Sequence, residues 1–217
     1  MSWPGDSQAL ASPTRPTGCV AYDGSVSDPM DPPEALTDDE IARALVVDPV
    51  RLDGRIELHE ADPSWPELFV REEARIRTVL GPKALVVEHV GSTSVSDLAA
   101  KPIIDMVLTV ADSSDEVSYV PLLGAAGYVL TVREEDWFEH RMFKGPDTNI
   151  NLHVFSNGVG EVDRMIAFRD HLRMDHVDRA LYEGVKRELA DREWRYVQNY
   201  ADAKSKVVAD IMQRALG

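Results

Sequence analysis

Asp105 stands inside an apolar run, Ile103-Ile104-Asp105-Met106-Val107-Leu108. An ionised carboxylate in such a strand is costly to bury alone, so it needs a partner or a task. Two readings are open. It is a structural aspartate bonded to backbone N–H groups, or it is an oxygen ligand to Mg2+ or Mn2+ bridging the phosphates of a nucleotide. Upstream lies Gly91-Ser92-Thr93-Ser94, between an apolar strand and the next element. Glycine lets the backbone turn tightly and approach a ligand closely. The hydroxyls and free backbone N–H groups beside it could hold phosphate oxygens, or the segment is simply a turn. Lys101, just before the Asp105 strand, could neutralise a phosphate or pair with Asp105. The spacing is neither the GxxxxGK[ST] of a P-loop nor the GxGxxG of a dinucleotide fold, which disfavours both classes.

A second set of residues lies further along. Thr148–Phe155 alternates apolar Ile150, Leu152 and Val154 with polar Asn149, Asn151 and His153, so the three polar side chains share one strand face. His153 could ligate a metal, act as a general base on an acceptor hydroxyl, or merely bond across the sheet. Arg141 could reach a phosphate or pair with Glu139 on its own strand face. Arg169 and Arg173, four apart, share a helix face. Tyr182 with Lys186, and Tyr200 with Lys204, repeat that spacing. Such pairs could stack a base and hold a phosphate, or form amphipathic helix edges with buried stems.

These residues need elements to hold them. Arg55–Glu60 alternates like an edge strand. Ser64 caps a helix over about Pro66–Leu80, with Leu68, Phe69, Ile76, Val79 and Leu80 inward and Gly81-Pro82 as the stop. Ala84–Val90 is a short strand into Gly91. A helix over about Ser113–Ala126 follows the Asp105 strand, then strands at Tyr128–Arg133, Trp137–Phe143 and Thr148–Phe155. No proline occurs after Pro146, and the chain reads as helical to its end: Arg164–Met174, Arg179–Ala190 and a long Glu193–Ala215. The arrangement is an α/β unit with a mixed sheet, followed by packed helices.

Residues 1–50 differ in composition. They hold seven of the thirteen prolines and nine acidic residues against two arginines. Residues 1–33 have little to bury and read as disordered or loosely attached. Thr37-Asp38-Asp39-Glu40 opens a short helix over about 37–47 with a capping box, ended by Asp48-Pro49. It either docks on the domain or acts as a tethered lid.

Composition narrows the classes. A net charge of −15 argues against broad binding to a nucleic-acid backbone, while leaving room for a local basic pocket. No apolar run reaches the roughly 18–20 residues of a membrane span, and no secretory signal is evident. Cys19, the single cysteine, can form no intramolecular disulfide and no cysteine metal site. A cytoplasmic protein is the expectation; the oligomeric state is not legible.

Taken together, HVGSTSV (His89–Val95), LAAKPIIDM (Leu98–Met106), NLHVF (Asn151–Phe155) and FRDHLR (Phe168–Arg173) resemble the GrpB family. So do Ile56-Glu57-Leu58, Asp62-Pro63-Ser64-Trp65-Pro66, and Tyr182 to Lys186. The resemblance covers about Arg55 to Leu216. It implies an α/β fold, a nucleotidyltransferase-like mixed β-sheet flanked by helices, with an added C-terminal helical segment. The domain would span 51–217, with its α/β core at 51–160 and helices at 161–217. The resemblance further implies a nucleotide and divalent-metal site, with Mg2+ or Mn2+ as cofactor. Asp105 and His153 would be its catalytic and metal-binding residues; Gly91, Ser92, Thr93, Ser94, Lys101, Arg141, Arg169 and Lys186 would hold nucleotide or phosphate.

The chain departs from that pattern. An active nucleotidyltransferase carries two carboxylates at i and i+2 on the strand after the Gly-Ser turn, sharing metal ions on one face. Here the i+2 position is Val107, and Ser96-Asp97 replaces the usual Pro-Gly. Asp97 is a candidate for the missing carboxylate. The functional expectation is therefore nucleotidyl transfer to an unnamed acceptor, or a module that binds a nucleotide or other phosphorylated ligand without turnover. A third is an interaction protein whose acidic N-terminal segment binds a basic partner.

Overall fold

The computed structural model describes residues 37–47 and 54–216. The expected loose segment 1–33 and the helix stop at Asp48-Pro49 lie outside the described residues. The elements are α1 (Asp38–Ala44), α2 (Trp65–Leu80), β1 (Val86–Val90), β2 (Ile104–Val110), α3 (Val120–Ala125), β3 (Val129–Glu134), β4 (His140–Lys144), β5 (Ile150–Ser156), α4 (Gly160–Met174), α5 (His176–Ala190), α6 (Val197–Asp202) and α7 (Ser205–Leu216).

The five strands form one mixed sheet in the order β1-β2-β5-β4-β3. β2 and β5 run parallel at its centre, and the other pairs are antiparallel. Central strands are buried on both sides, which is why β2 is almost wholly apolar while β3 is not. One face carries Ile104, Met106, Leu108, Ile150, Leu152, Val154 and Phe143. These pack against Ile76, Leu80 and Trp65 of α2 and Leu123 of α3 in the main core. The opposite face carries Asp105 and Val107 of β2, paired in register with Asn151 and His153 of β5. Its apolar part, Val90, Val107 and Phe155, lies under Val162, Met165 and Ile166 of α4. The C-terminal helices form a smaller core beside it, where Leu172, Tyr182 and Ile211 enclose Val95 and Leu98. The result is a mixed α/β sheet flanked by helices, with a helical C-terminal third.

Several expected elements differ. Arg55–Glu60 is no strand: Gly54 bridges only Trp194, and His59 only Ala100. Ile56 and Leu58 still face inward, against Leu189 and Tyr200, so the alternation reports burial without a ladder. The helix expected at Ser113–Ala126 shrinks to one turn at Glu116–Ser118 and to α3, because Pro121 can sit in a first turn and not in an interior. The strand expected from Trp137 begins at His140, since Phe138 and Glu139 take left-handed φ values of 55° and 52°. The long last helix is broken into α6 and α7. Trp194 leaves the helical path to pair with Gly54, and its indole N–H donates to the Leu189 carbonyl at 2.8 Å. Ser64 precedes α2 without a side-chain cap; instead Asp62 accepts from the Ser64 N–H at 2.8 Å. Thr37 and Glu40 do form the expected capping box. α1 docks on β3, with the Val46 N–H donating to the Thr131 carbonyl at 2.9 Å.

Candidate functional site

The bend after β1 is set by Gly91, whose φ of 67° is a left-handed conformation that side chains disfavour. Its missing side chain matters as much. A Cβ at Gly91 would lie 2.4 Å from Asp105 Oδ2 and 2.8 Å from Asp105 Cβ. The turn therefore lies directly against the strand aspartate. Asn151, opposite Asp105 on β5, donates its amide N–H to Asp105 Oδ1 at 2.7 Å. The other end of the Asn151 amide accepts from the Lys144 ammonium on β4. That orientation is forced, since a flipped amide would set its oxygen against the carboxylate and its NH2 against the ammonium.

Asp105 is half-buried. Burial pushes its carboxyl up, opposed by the Asn151 hydrogen bond and by Lys101, Lys204 and Lys144. Lys101 is pushed down to about 8, by burial first and then by Lys204, with Asp105 pulling the other way. Lys144 is lowered by burial, and Asp105 opposes this. Lys186 is buried on α5, donates to the Ala99 carbonyl, and is driven down to about 7 by burial first and then by Lys204. Two of these lysines lie over the Tyr200 ring, Lys101 Nζ at 5.5 Å and Lys204 Nζ at 4.7 Å from its centre. Lys186 Nζ lies 5.2 Å from the Tyr182 ring. Among the described residues, none of these four lysines forms an ion pair with a carboxylate within 4.0 Å. Four ammonium groups thus gather around one carboxylate.

The expected residues divide. Gly91, Lys101, Asp105 and Lys186 come together. Ser92 is half-buried, and its hydroxyl has no partner among the described residues. Thr93 and Ser94 are in the turn, but their hydroxyls are committed inward. Thr93 Oγ1 bonds His89 Nε2 at 3.0 Å and donates to the Ile103 carbonyl at 3.1 Å. Ser94 Oγ donates to the Gly91 carbonyl at 2.6 Å.

Two of the expected arginines are engaged by carboxylates of the protein. Arg141 pairs in register with Val154, so it points to the sheet face opposite Asp105. There it binds Glu116 at 2.6 Å, and Arg133 binds the same carboxylate at 2.7 Å. Arg169 reaches Glu88 at 2.6 Å, Asp170 at 2.8 Å and the His89 carbonyl at 2.9 Å, fastening α4 to β1. Arg141 therefore stands apart from the Asp105 face, and Arg169 is held by protein acceptors. Arg173 donates to the Ser94 carbonyl at 2.9 Å and braces the turn from α4.

His153 shares the Asp105 face and ends a chain of polar groups. Its Nδ1 lies 3.0 Å from His140 Nε2, and His140 Nδ1 lies 2.6 Å from Glu134. The carboxylate requires the proton on His140 Nδ1. His140 thus shares its Nε2 with His153 Nδ1, and which of the two nitrogens donates follows the protonation of His140. Burial, His140 and Lys144 hold the His153 imidazole down to about 3, which keeps it neutral at pH 7.

Missed by the sequence pattern were Lys144, Glu134 and His140. Lys144 carried no motif; only the β4–β5 register places it beside Asn151. Asp97 does not supply a second carboxylate. It is exposed, with a left-handed φ of 60°, and this backbone explains why glycine suits the position. Val107 is fully buried under α4 and offers no oxygen either. A Mg2+ ion takes about six oxygen ligands, usually one or two carboxylates together with phosphate oxygens and water. Asp105, already bonded by Asn151 and acted on by Lys101, Lys204 and Lys144, is a poor partner for such an ion on grounds of charge. A separate depression lined by Glu57, His59, Glu60, Asp62, Trp65 and Pro102 is acidic and has the wrong sign for phosphate.

Comparison with known proteins agrees with this architecture. The chain is 60% identical over 179 residues to UPF0157 protein BH1888 of Halalkalibacterium halodurans, covering 82% of this chain and 92% of that protein. It is 46% identical over 160 residues to UPF0157 protein SCO7215 of Streptomyces coelicolor, covering 74% and 84%. The crystal structure of conserved protein GrpB from Enterococcus faecalis superposes with a TM-score of 0.65 at 30% identity, over 74% of this chain and 97% of that one. The family model described as GrpB protein matches residues 55–214, and the chain belongs to the GrpB family.

Proposed function

We propose that this chain binds a phosphorylated small molecule on the Asp105 face of its sheet. A nucleotide is the ligand class that the nucleotidyltransferase resemblance implies. The phosphates would meet Lys101, Lys144 and Lys204, with Lys186 behind them and the Gly91-Ser92 bend at one side. The observation that carries this reading is the lysine cluster itself. Among the described residues, four lysines gather with no carboxylate within ion-pair distance, in a chain of net charge −15. Depressed lysine pKa values mark a site whose like charges are held together by the fold, a signature of function more than of stability.

Nucleotidyl transfer is the second reading, favoured by one observation. His153 ends the Glu134–His140 chain on the same face as Asp105. Its Nε2 would form a hydrogen bond with a ligand or acceptor hydroxyl. With its pKa near 3, the imidazole suits orienting that hydroxyl better than removing its proton.

Calorimetric titration with ATP, UTP and pyrophosphate tests both readings. Binding is expected, and Lys101→Gln and Lys204→Gln should each weaken it about tenfold. Wild-type protein that binds none of the three would sink the proposal. Pyrophosphate release from the nucleoside triphosphates, lost in His153→Ala, would favour transfer; binding without release would leave a ligand-binding module.

A further inference from the structure

We infer that this site holds its phosphate ligand free of a divalent cation, with the ammonium groups of Lys101, Lys144 and Lys204 supplying the compensating charge. The inference rests on the phosphate-binding reading above and adds to it how the ligand's charge is met.

Three observations converge. First, the carboxylate oxygens present are already engaged. Among the described residues, Asp105 and Glu88 are carboxylates on this face; Asp105 Oδ1 accepts from Asn151 at 2.7 Å, its Oδ2 packs against Gly91, and Glu88, opposite Val107, is paired with Arg169 at 2.6 Å. The position two residues on is Val107, sealed among Val90, Phe155 and Val162. Second, Asn151 turns its NH2 toward Asp105 and its oxygen toward Lys144, so the amide cannot offer that oxygen to a metal. Third, the charge has the wrong sign for a cation. Lys101, Lys144 and Lys204 all act on Asp105. The other nearby acids are engaged elsewhere: Glu88 pairs with Arg169 at 2.6 Å, and Glu183 pairs with Arg187 at 2.6 Å. Adding a divalent ion would bring two positive charges into a cluster that already sets three lysines about one carboxylate. A phosphate brings the negative charge that the cluster lacks. Asp105 then has a different task from metal binding. It spaces the lysines and keeps the empty site from repelling itself apart.

This assignment gives Asp105 a sign opposite to the one a metal ligand would have. Removing its charge should strengthen anion binding, whereas removing a metal ligand abolishes it. The test is calorimetric titration of the full chain with pyrophosphate and with ATP, each in EDTA and in Mg2+. Binding in EDTA at least as tight as in Mg2+ is expected. Asp105→Asn, which can still accept from Asn151, should bind about tenfold tighter in EDTA. Binding seen only with Mg2+ or Mn2+, and lost in Asp105→Asn, would overturn the inference while leaving the phosphate site standing. No binding under either condition would remove the phosphate site and the inference with it. Should Asp105→Asn fail to fold, Lys204→Gln in EDTA carries the test: weakened binding supports charge compensation by lysine, and unchanged binding refutes it.

Discussion

At the scale of single residues, the site turns on how closely Gly91 and Asp105 approach. The glycine satisfies two demands at once, a positive φ and empty space where a Cβ would meet the carboxylate. Gly91→Ala should therefore destabilise the fold by about 3 kcal/mol, from backbone strain and overpacking together. Urea unfolding measures it. Adding Asp105→Gly removes the clashing atoms and leaves the strain, so the double variant should recover about half of the loss attributable to Gly91→Ala. Additive losses would show that the contact is not the cause. The sequence revealed that a glycine followed by hydroxyls flanked a strand aspartate. It could not reveal that the two touch, or that Thr93 and Ser94 turn their hydroxyls inward. Those facts depend on the β1–β2 register and on His89, which contacts Thr93 from the far face of the sheet.

At the scale of elements, helical periodicity located α2 closely, and strand alternation told which side chains share a face. Which strands are neighbours was not legible, because pairing in a mixed sheet is a long-range choice made by packing. Lys144 entered the site only through that choice, and Arg141 left it for the same reason. The breaks in the last helix were equally hidden, since Trp194 pairs with Gly54 far away in sequence and no proline or glycine marks the spot. α2 itself carries a feature that its apolar stripe disguises. Glu72 occupies an inward position and is fully buried. It accepts from Tyr128 at 2.8 Å and Thr148 at 2.7 Å, and Arg75 reaches it at 3.2 Å. This network ties the helix to the turn that feeds β5, and so to Asn151 and His153. Glu72→Ala would leave several buried donors unmatched and should lower stability by about 3 kcal/mol. Glu72→Gln, which retains one acceptor oxygen, should lose less. Equal losses for the two would mean that packing, and not hydrogen bonding, is what Glu72 supplies.

At the scale of the whole molecule, the sheet separates a closed apolar face from a face where the C-terminal third brings Lys186 and Lys204 up to Lys101 and Asp105. That arrangement stores unfavourable charge in the fold, and the cost has a definite pH signature. Lys186 is ordinarily protonated below about 10.5 in an unfolded chain, and burial lowers it to about 7 in the folded one. Between those values the unfolded state binds more protons, so stability must rise with pH across the window. From pH 7 to 9 the gain from Lys186 alone is about 2 kcal/mol. Tyr119, Tyr128 and Tyr200 are raised above their usual range of about 10, so they do not titrate in this window. Lys101, lowered to about 8, contributes in the same direction. Urea midpoints should therefore climb from pH 7 to 9. Lys186→Met removes the buried charge and costs the Ala99 carbonyl its donor. It should flatten most of that climb and raise stability at pH 7 by about 2 kcal/mol, while weakening the binding of pyrophosphate. A Lys186→Met protein that is less stable at pH 7 and keeps the wild-type pH dependence would mean that the lysine is part of the scaffold. The opposite result would mean that the fold carries it at the expense of stability for the ligand it binds.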